Sequence, residues 1–167
     1  MNKILFLILD LDGCLLTDDD YCLPYLKQPY NCPYFDKKSL NVLKDVCDKY
    51  NTKLILSSDW KHRFTIEQFN EILAINHFKY QIVAYTPDHY KLNPDSSSVN
   101  YYETIRASEI LAYVKENNIK YWLAIDDLCI GHLLPDENFV RCRTEVGLCE
   151  VGLKEKIVEK INKILLI

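Results

Sequence analysis

The sequence predicts an α/β fold: a three-layer α/β/α sandwich built on a doubly wound, mostly parallel five-stranded sheet. Two observations carry this expectation. Five short apolar segments alternate along the chain with amphipathic helical stretches, which is the pattern of repeated βαβ units. The first segment, residues 4–9 (ILFLIL), is apolar without alternation and is closed by Asp10, as expected of a central strand buried on both faces.

The elements follow in order. Residues 53–56 (KLIL), 81–85 (QIVAY), 121–125 (YWLAI) and 139–142 (FVRC) are short and rich in β-branched or aromatic side chains, so they read as the other four strands. Leu40, Leu43, Cys47 and Tyr50 share a helical face, as do Ala107, Ile110, Leu111 and Val114, and then Leu153, Ile157, Ile161 and Ile164. The helix after the second strand should begin near Ile66. There Thr65 and Gln68 form a capping box, and Phe64 and Phe69 stand at the hydrophobic-staple positions. Residues 57–63 are left as a loop at the carboxyl end of the second strand, where an open α/β sheet keeps its ligand site. Two stretches depart from the alternation. Residues 14–35 form a long insert rich in Tyr and Pro, and a βα connection of that length points to function. Residues 87–102 read as a polar and aromatic surface loop.

At 167 residues with 49% hydrophobic content, the chain suits a single domain over residues 1–167 that can bury a proper core. Its formal net charge of -4 has the wrong sign for extended nucleic-acid binding along a phosphate backbone. The seven cysteines contain no Cys-x-x-Cys pair, which gives zinc knuckles and dithiol redox motifs no support. Cys47 and Cys142 sit in apolar patterns and read as reduced core residues, consistent with a cytoplasmic location. Residues 4–9 are too short to span a bilayer and lead into an acidic residue instead of a cleavage site, so neither a membrane association nor an export signal is expected.

Chemistry concentrates at two strand ends. Asp10-Leu11-Asp12-Gly13 closes the first strand, and Asp126-Asp127 closes the fourth in the same manner. A single Asp there is equally well a turn former. Two acidic pairs at two strand ends are harder to explain that way. If the strands are neighbours, the carboxylates converge, and like charges that close need a cation to stay ionised. Hard oxygen donors of this kind suit Mg²⁺, which also binds substrate phosphate.

Asp-x-Asp after the first strand, Ser57 after the second, a later basic residue and the acidic pair at the fourth together resemble the phosphatases of the haloacid dehalogenase superfamily. LSSDW after the second strand, the Arg106 to Ile110 helix segment and Gly147-Leu148 are similar to the small capless phosphatase domain of RNA-repair proteins. The resemblance covers nearly the whole chain and implies a Rossmann-like sheet and Mg²⁺-dependent hydrolysis of a phosphate monoester through an aspartyl phosphate. It makes Asp10 the nucleophile and Asp12 the proton shuttle. Asp10, the Asp12 backbone carbonyl and Asp126 would be metal ligands, with Asp127 a ligand or its support. Ser57, Ser58 and Arg106 would hold the phosphate oxygens, with Lys91 the rival to Arg106.

The substrate expected is a phosphorylated small molecule, a nucleic-acid end or a phosphoprotein. Trp60, Lys61, His62 and Arg63 either hold the leaving group or form a solvated loop with Trp60 tucked into the core. His77, His89 and His132 lack metal-ligand spacing and read as structural. The alternatives are a phosphate-responsive receiver-like domain, which would want its phosphoacceptor at the third strand, and a catalytically inactive binding domain on the same fold.

Overall fold

The structure, a computed structural model, describes residues 3–17, 25–27, 29–88 and 100–166. Strands β1 (Leu5–Leu9), β2 (Thr52–Leu56), β3 (Ile82–Tyr85), β4 (Trp122–Asp126) and β5 (Phe139–Arg141) form one sheet in the order β3-β2-β1-β4-β5. Every strand pair is parallel, so the sheet is wholly and not just mostly parallel. From β1 the chain moves outward through β2 and β3, then crosses back to lay β4 and β5 on the other side. The order therefore reverses between β1 and β4, and the carboxyl ends of these two strands bound the crevice where doubly wound sheets bind ligands.

Side chains of β1 alternate between the two faces, as the period of a strand requires. Leu5, Leu7 and Leu9 join one core with residues of α1 (Lys37–Lys49), α2 (Ile66–Ile75) and α4 (Leu153–Leu166). Ile8 joins a second core with Ile55, Ala124 and the Ala107 and Ile110 side chains of α3 (Tyr101–Glu116). Three helices thus cover one face and α3 the other, which makes the expected three layers. Each fully buried Leu or Ile in these clusters contributes roughly 1.5–3 kcal/mol relative to exposure.

Local signals place most helices. The α2 capping box forms as expected, with Thr65 as the N-cap and Gln68 completing it. Asp36 caps α1 by accepting from the Lys38 and Ser39 backbone N–H groups. Leu153, Ile157, Ile161 and Ile164 are all buried on the inner face of α4.

Helix α3 departs from expectation. It begins at Tyr101, within the stretch read as loop, so Arg106 lies in its second turn. Leu111 is exposed, and the inner face carries Ile105, Arg106, Ala107, Glu109 and Ile110. Two charged residues on that face break the apolar period. The rest of the stretch read as loop, including Lys91 and His89, lies outside the described residues, apart from residues 87, 88 and 100.

The described parts of the 14–35 insert pack against the protein. Leu26, Cys32 and Phe35 are buried in the first core, and the Leu26 N–H donates to the Cys32 carbonyl at 2.8 Å. Cys47 and Cys142 are buried free thiols as expected, as are Cys14 and Cys32. Among the described residues, no helix is long and apolar enough to cross a membrane.

Candidate active site

Parallel pairing brings the acidic strand ends together. Leu9 stands opposite Ile125, and the Asp10 N–H donates to the Ile125 carbonyl at 3.0 Å, so Asp10 and Asp126 leave the sheet side by side. Asp10, Asp126 and Asp127 each offer a carboxylate oxygen within 4.8 Å of the others. Asp10 and Asp126 are 5% and 1% exposed. One guanidinium joins them: Arg106 Nη1 lies 2.9 Å from Asp10 Oδ2 and 2.9 Å from Asp126 Oδ2. Its Nη2 is 3.9 Å from Asp59 Oδ1.

The charges follow from this crowding. Burial raises the Asp10 carboxyl above the ordinary carboxylate range, against the opposing pull of Arg106, the Ser58 hydroxyl and the Leu11 N–H. Burial raises Asp126 as well, and the neighbouring Asp10 charge pushes it further the same way. Burial works against the Arg106 charge, but the two carboxylates outweigh it and hold the guanidinium firmly protonated. The Arg106 charge does not offset the cost of burial, so both buried carboxyls stay raised although each contacts it. A divalent ion would relieve the excess, and three hard oxygen donors this close together fit one.

The neighbouring strand β2 supplies the next layer of the site. The Ser57 N–H donates to the Leu9 carbonyl at 2.7 Å, which extends the β1–β2 pairing. Ser57 Oγ accepts from Thr86 Oγ1 at 3.3 Å, and Ser57 and Ser58 are both buried. A 3₁₀ turn, Asp59–His62, follows. It carries Trp60, whose Nε1 donates to Asp12 Oδ1 and Oδ2 at 3.2 and 3.1 Å. A pocket of about 270 Å³ opens over this group, lined by Asp10, Asp12, Arg106 and Asp127 together with Tyr102 and Leu128. A larger and more apolar hollow of about 430 Å³, between Tyr34 and Ile75, is lined by none of these carboxylates.

The family described as the HAD domain in Swiss Army Knife RNA repair proteins matches residues 6–152. The chain belongs to this family. No curated protein and no solved structure matches it. Membership assigns the haloacid dehalogenase fold and, at the level of the superfamily, the phosphatase class.

On this haloacid dehalogenase domain, the seven described residues expected to hold metal, proton or phosphate lie at the carboxyl edge of the sheet or on the α3 face turned toward it. Asp10, Asp12, Arg106 and Asp127 line one pocket, Asp126 touches Arg106, and Ser57 and Ser58 lead away from β2. The four residues from Trp60 to Arg63 do not act together as the leaving-group reading would have it. Trp60 is buried at 3% exposure. The Lys61 side chain is buried in an ion pair with Glu109 at 2.7 Å and also donates to the Pro87 carbonyl at 3.1 Å. His62 and Arg63 are exposed, and the Arg63 guanidinium covers the Trp60 ring at 4.9 Å. His77 and His132 are exposed and outside the pocket.

Sequence reasoning gave no role to Glu109 or Thr144 and did not foresee the contact of Trp60 with Asp12. Thr144 Oγ1 donates to Asp127 Oδ2 at 2.7 Å. The one available signal was Glu109, an acidic residue three positions after Arg106 and hence on the same helical face.

Proposed function

We propose that this domain is a Mg²⁺-dependent phosphatase that hydrolyses a phosphate monoester through an aspartyl phosphate on Asp10. The observation that carries this reading is the convergence of Asp10, Asp126 and Asp127 around one point, with Arg106 bonded to the first two. A phosphate ester resists nucleophiles because it is already negative, so the site must neutralise charge and hold the attacking oxygen in line. Asp10, the Asp12 carbonyl and Asp126 would hold the cation, supported by Asp127. Bound there, Mg²⁺ supplies positive charge to the transferring oxygens and keeps the buried carboxylates ionised.

The protein's own groups then divide the work. An Asp10 carboxylate oxygen attacks phosphorus, and the bond from phosphorus to the ester oxygen breaks. Asp12 gives its proton to the departing oxygen, then takes one from the water that attacks the aspartyl phosphate, which returns Asp10 and releases phosphate. Arg106, Ser57 and Ser58 hold the phosphoryl oxygens. The family is that of a domain in RNA repair proteins, which favours a nucleic-acid end as the substrate class.

The test is hydrolysis of nitrophenyl phosphate and of end-phosphorylated RNA and DNA by the pure protein, with and without Mg²⁺. Activity should require Mg²⁺ and vanish in Asp10→Asn, because an amide is neither a nucleophile nor an anionic ligand. Substantial turnover by Asp10→Asn would place the nucleophile elsewhere.

A further inference from the structure

The indole of Trp60 presents a single N–H, a donor with no acceptor capacity. Trp60 is 3% exposed, and a buried indole N–H is normally satisfied by one well-placed acceptor. Here that acceptor is the Asp12 carboxylate, reached at 3.2 Å through Oδ1 and 3.1 Å through Oδ2. A donor shared between both oxygens fixes the position of the carboxylate and the rotation of its plane.

The indole itself is held on all sides. Its ring centroid lies 6.1 Å from Phe35 and 6.5 Å from Phe69, both edge-on, and 5.7 Å from Phe64. Arg63 closes the outer face. Phe64 immediately precedes the Thr65 N-cap of α2 and Phe69 lies in its first turn and a half, so the ring is packed against the start of a capped helix. Asp12 itself is half-buried, in a turn after β1 whose neighbours Leu11, Cys14, Leu15 and Leu16 are buried.

From this geometry we propose that Trp60 is the positioning residue for Asp12, holding its carboxylate in the orientation needed for proton transfer to the leaving oxygen. The proposal rests on the reading of Asp12 as the acid-base group. It also explains why Trp60 follows the two serines so closely. A rigid turn of four residues lets the loop that binds phosphate orient the group that protonates the ester oxygen, so two functions from adjacent strands keep one geometry. A misplacement of about 1 Å in such a group can cost ~10²-fold in rate.

The test compares a nitrophenyl phosphate with an alkyl phosphate, because only the alkoxide needs its proton as it departs. In Trp60→Phe, which keeps an aromatic ring and deletes the N–H, the alkyl ester rate should fall roughly 10–100-fold more than the nitrophenyl rate. The same substitution in an Asp12→Asn background should cost nothing further on the alkyl ester. Equal losses on both esters, or a full further loss in Asp12→Asn, would mean that Trp60 merely supports the fold and would overturn the proposal. Should Trp60→Phe fold poorly, replacement of Trp60 by benzothienylalanine swaps the N–H for sulfur within the same outline and must give the same pattern. A second readout does not depend on turnover. The indole N–H proton resonance of Trp60 in the substrate-free protein should move upfield in Asp12→Ala, and an unmoved resonance refutes the contact. If wild-type protein hydrolysed neither ester while that resonance moved, the phosphatase reading would fail and the anchoring of Asp12 by Trp60 would stand.

Discussion

Arg106 Nη1 lies 2.9 Å from Asp126 Oδ2, with the two side chains 10% and 1% exposed, and the same nitrogen reaches Asp10 at an equal distance. Removing one partner of a buried ion pair typically costs about 3–5 kcal/mol, because the charge left behind has no water to return to. Arg106→Met should therefore destabilise the metal-free protein by about that amount in urea unfolding. Added Mg²⁺ should recover more stability in this variant than in wild type, since it replaces the lost positive charge. A metal-free Arg106→Met protein as stable as wild type would show that Arg106 is not what holds the two carboxylates together. Its phosphatase rate should also fall, by roughly 10²–10³-fold if it acts as one donor to the transferring oxygens.

Mg²⁺ should raise the melting temperature, and more so at higher pH. Asp10 and Asp126 have raised carboxyls because burial disfavours their charged forms. Their folded pKa values exceed the unfolded ones, so the metal-free protein is favoured by protonation at low pH and loses that contribution as pH rises through the folded values. The cation binds the ionised forms, so its contribution grows over the same interval. At a Mg²⁺ concentration about 100 times Kd the stabilisation is roughly 2.7 kcal/mol, about 5–10 °C for a chain of this size. Thermal melts at about pH 5.5 and about pH 8, with Mg²⁺ or a chelator, measure it. The shift should be abolished in Asp126→Asn. A shift independent of both pH and Asp126 would place the ion elsewhere.

Gly13 couples backbone conformation to the acidic cluster. Its φ is +70°, and a Cβ there would lie 2.3 Å from Asp127 Oδ2. Gly13→Ala should lose about 1–2 kcal/mol for the left-handed backbone and, by displacing Asp127, should also weaken the Mg²⁺-dependent thermal shift. Gly152 supplies the control, with φ +82° and nothing within 4 Å of an added Cβ. Gly152→Ala should show the backbone cost and keep the full Mg²⁺ response. If both variants responded to Mg²⁺ alike, Asp127 would have no part in holding the ion.

What the sequence by itself determined was local. The unbroken apolar run before Asp10, the capping box at Thr65 and the four-residue spacing of Leu153, Ile157 and Ile161 each reflect a backbone period or a contact within one turn, so they are visible in a short window. The acidic pairs were legible for the same reason, because each follows its strand directly. The tertiary structure decided what lies between segments distant in the chain. The β3-β2-β1-β4-β5 order brought Asp126 beside Asp10 across more than a hundred residues. Helix α3 hid its start because Arg106 and Glu109 occupy inward positions where the apolar period expects hydrophobic side chains. Lys61 read as a solvated or leaving-group residue, and Trp60 as either a leaving-group contact or a core residue, until α3 supplied Glu109 to one and the β1 loop supplied Asp12 to the other. A buried polar group is defined by its partner, and when that partner comes from another strand or helix, no window along the chain contains both.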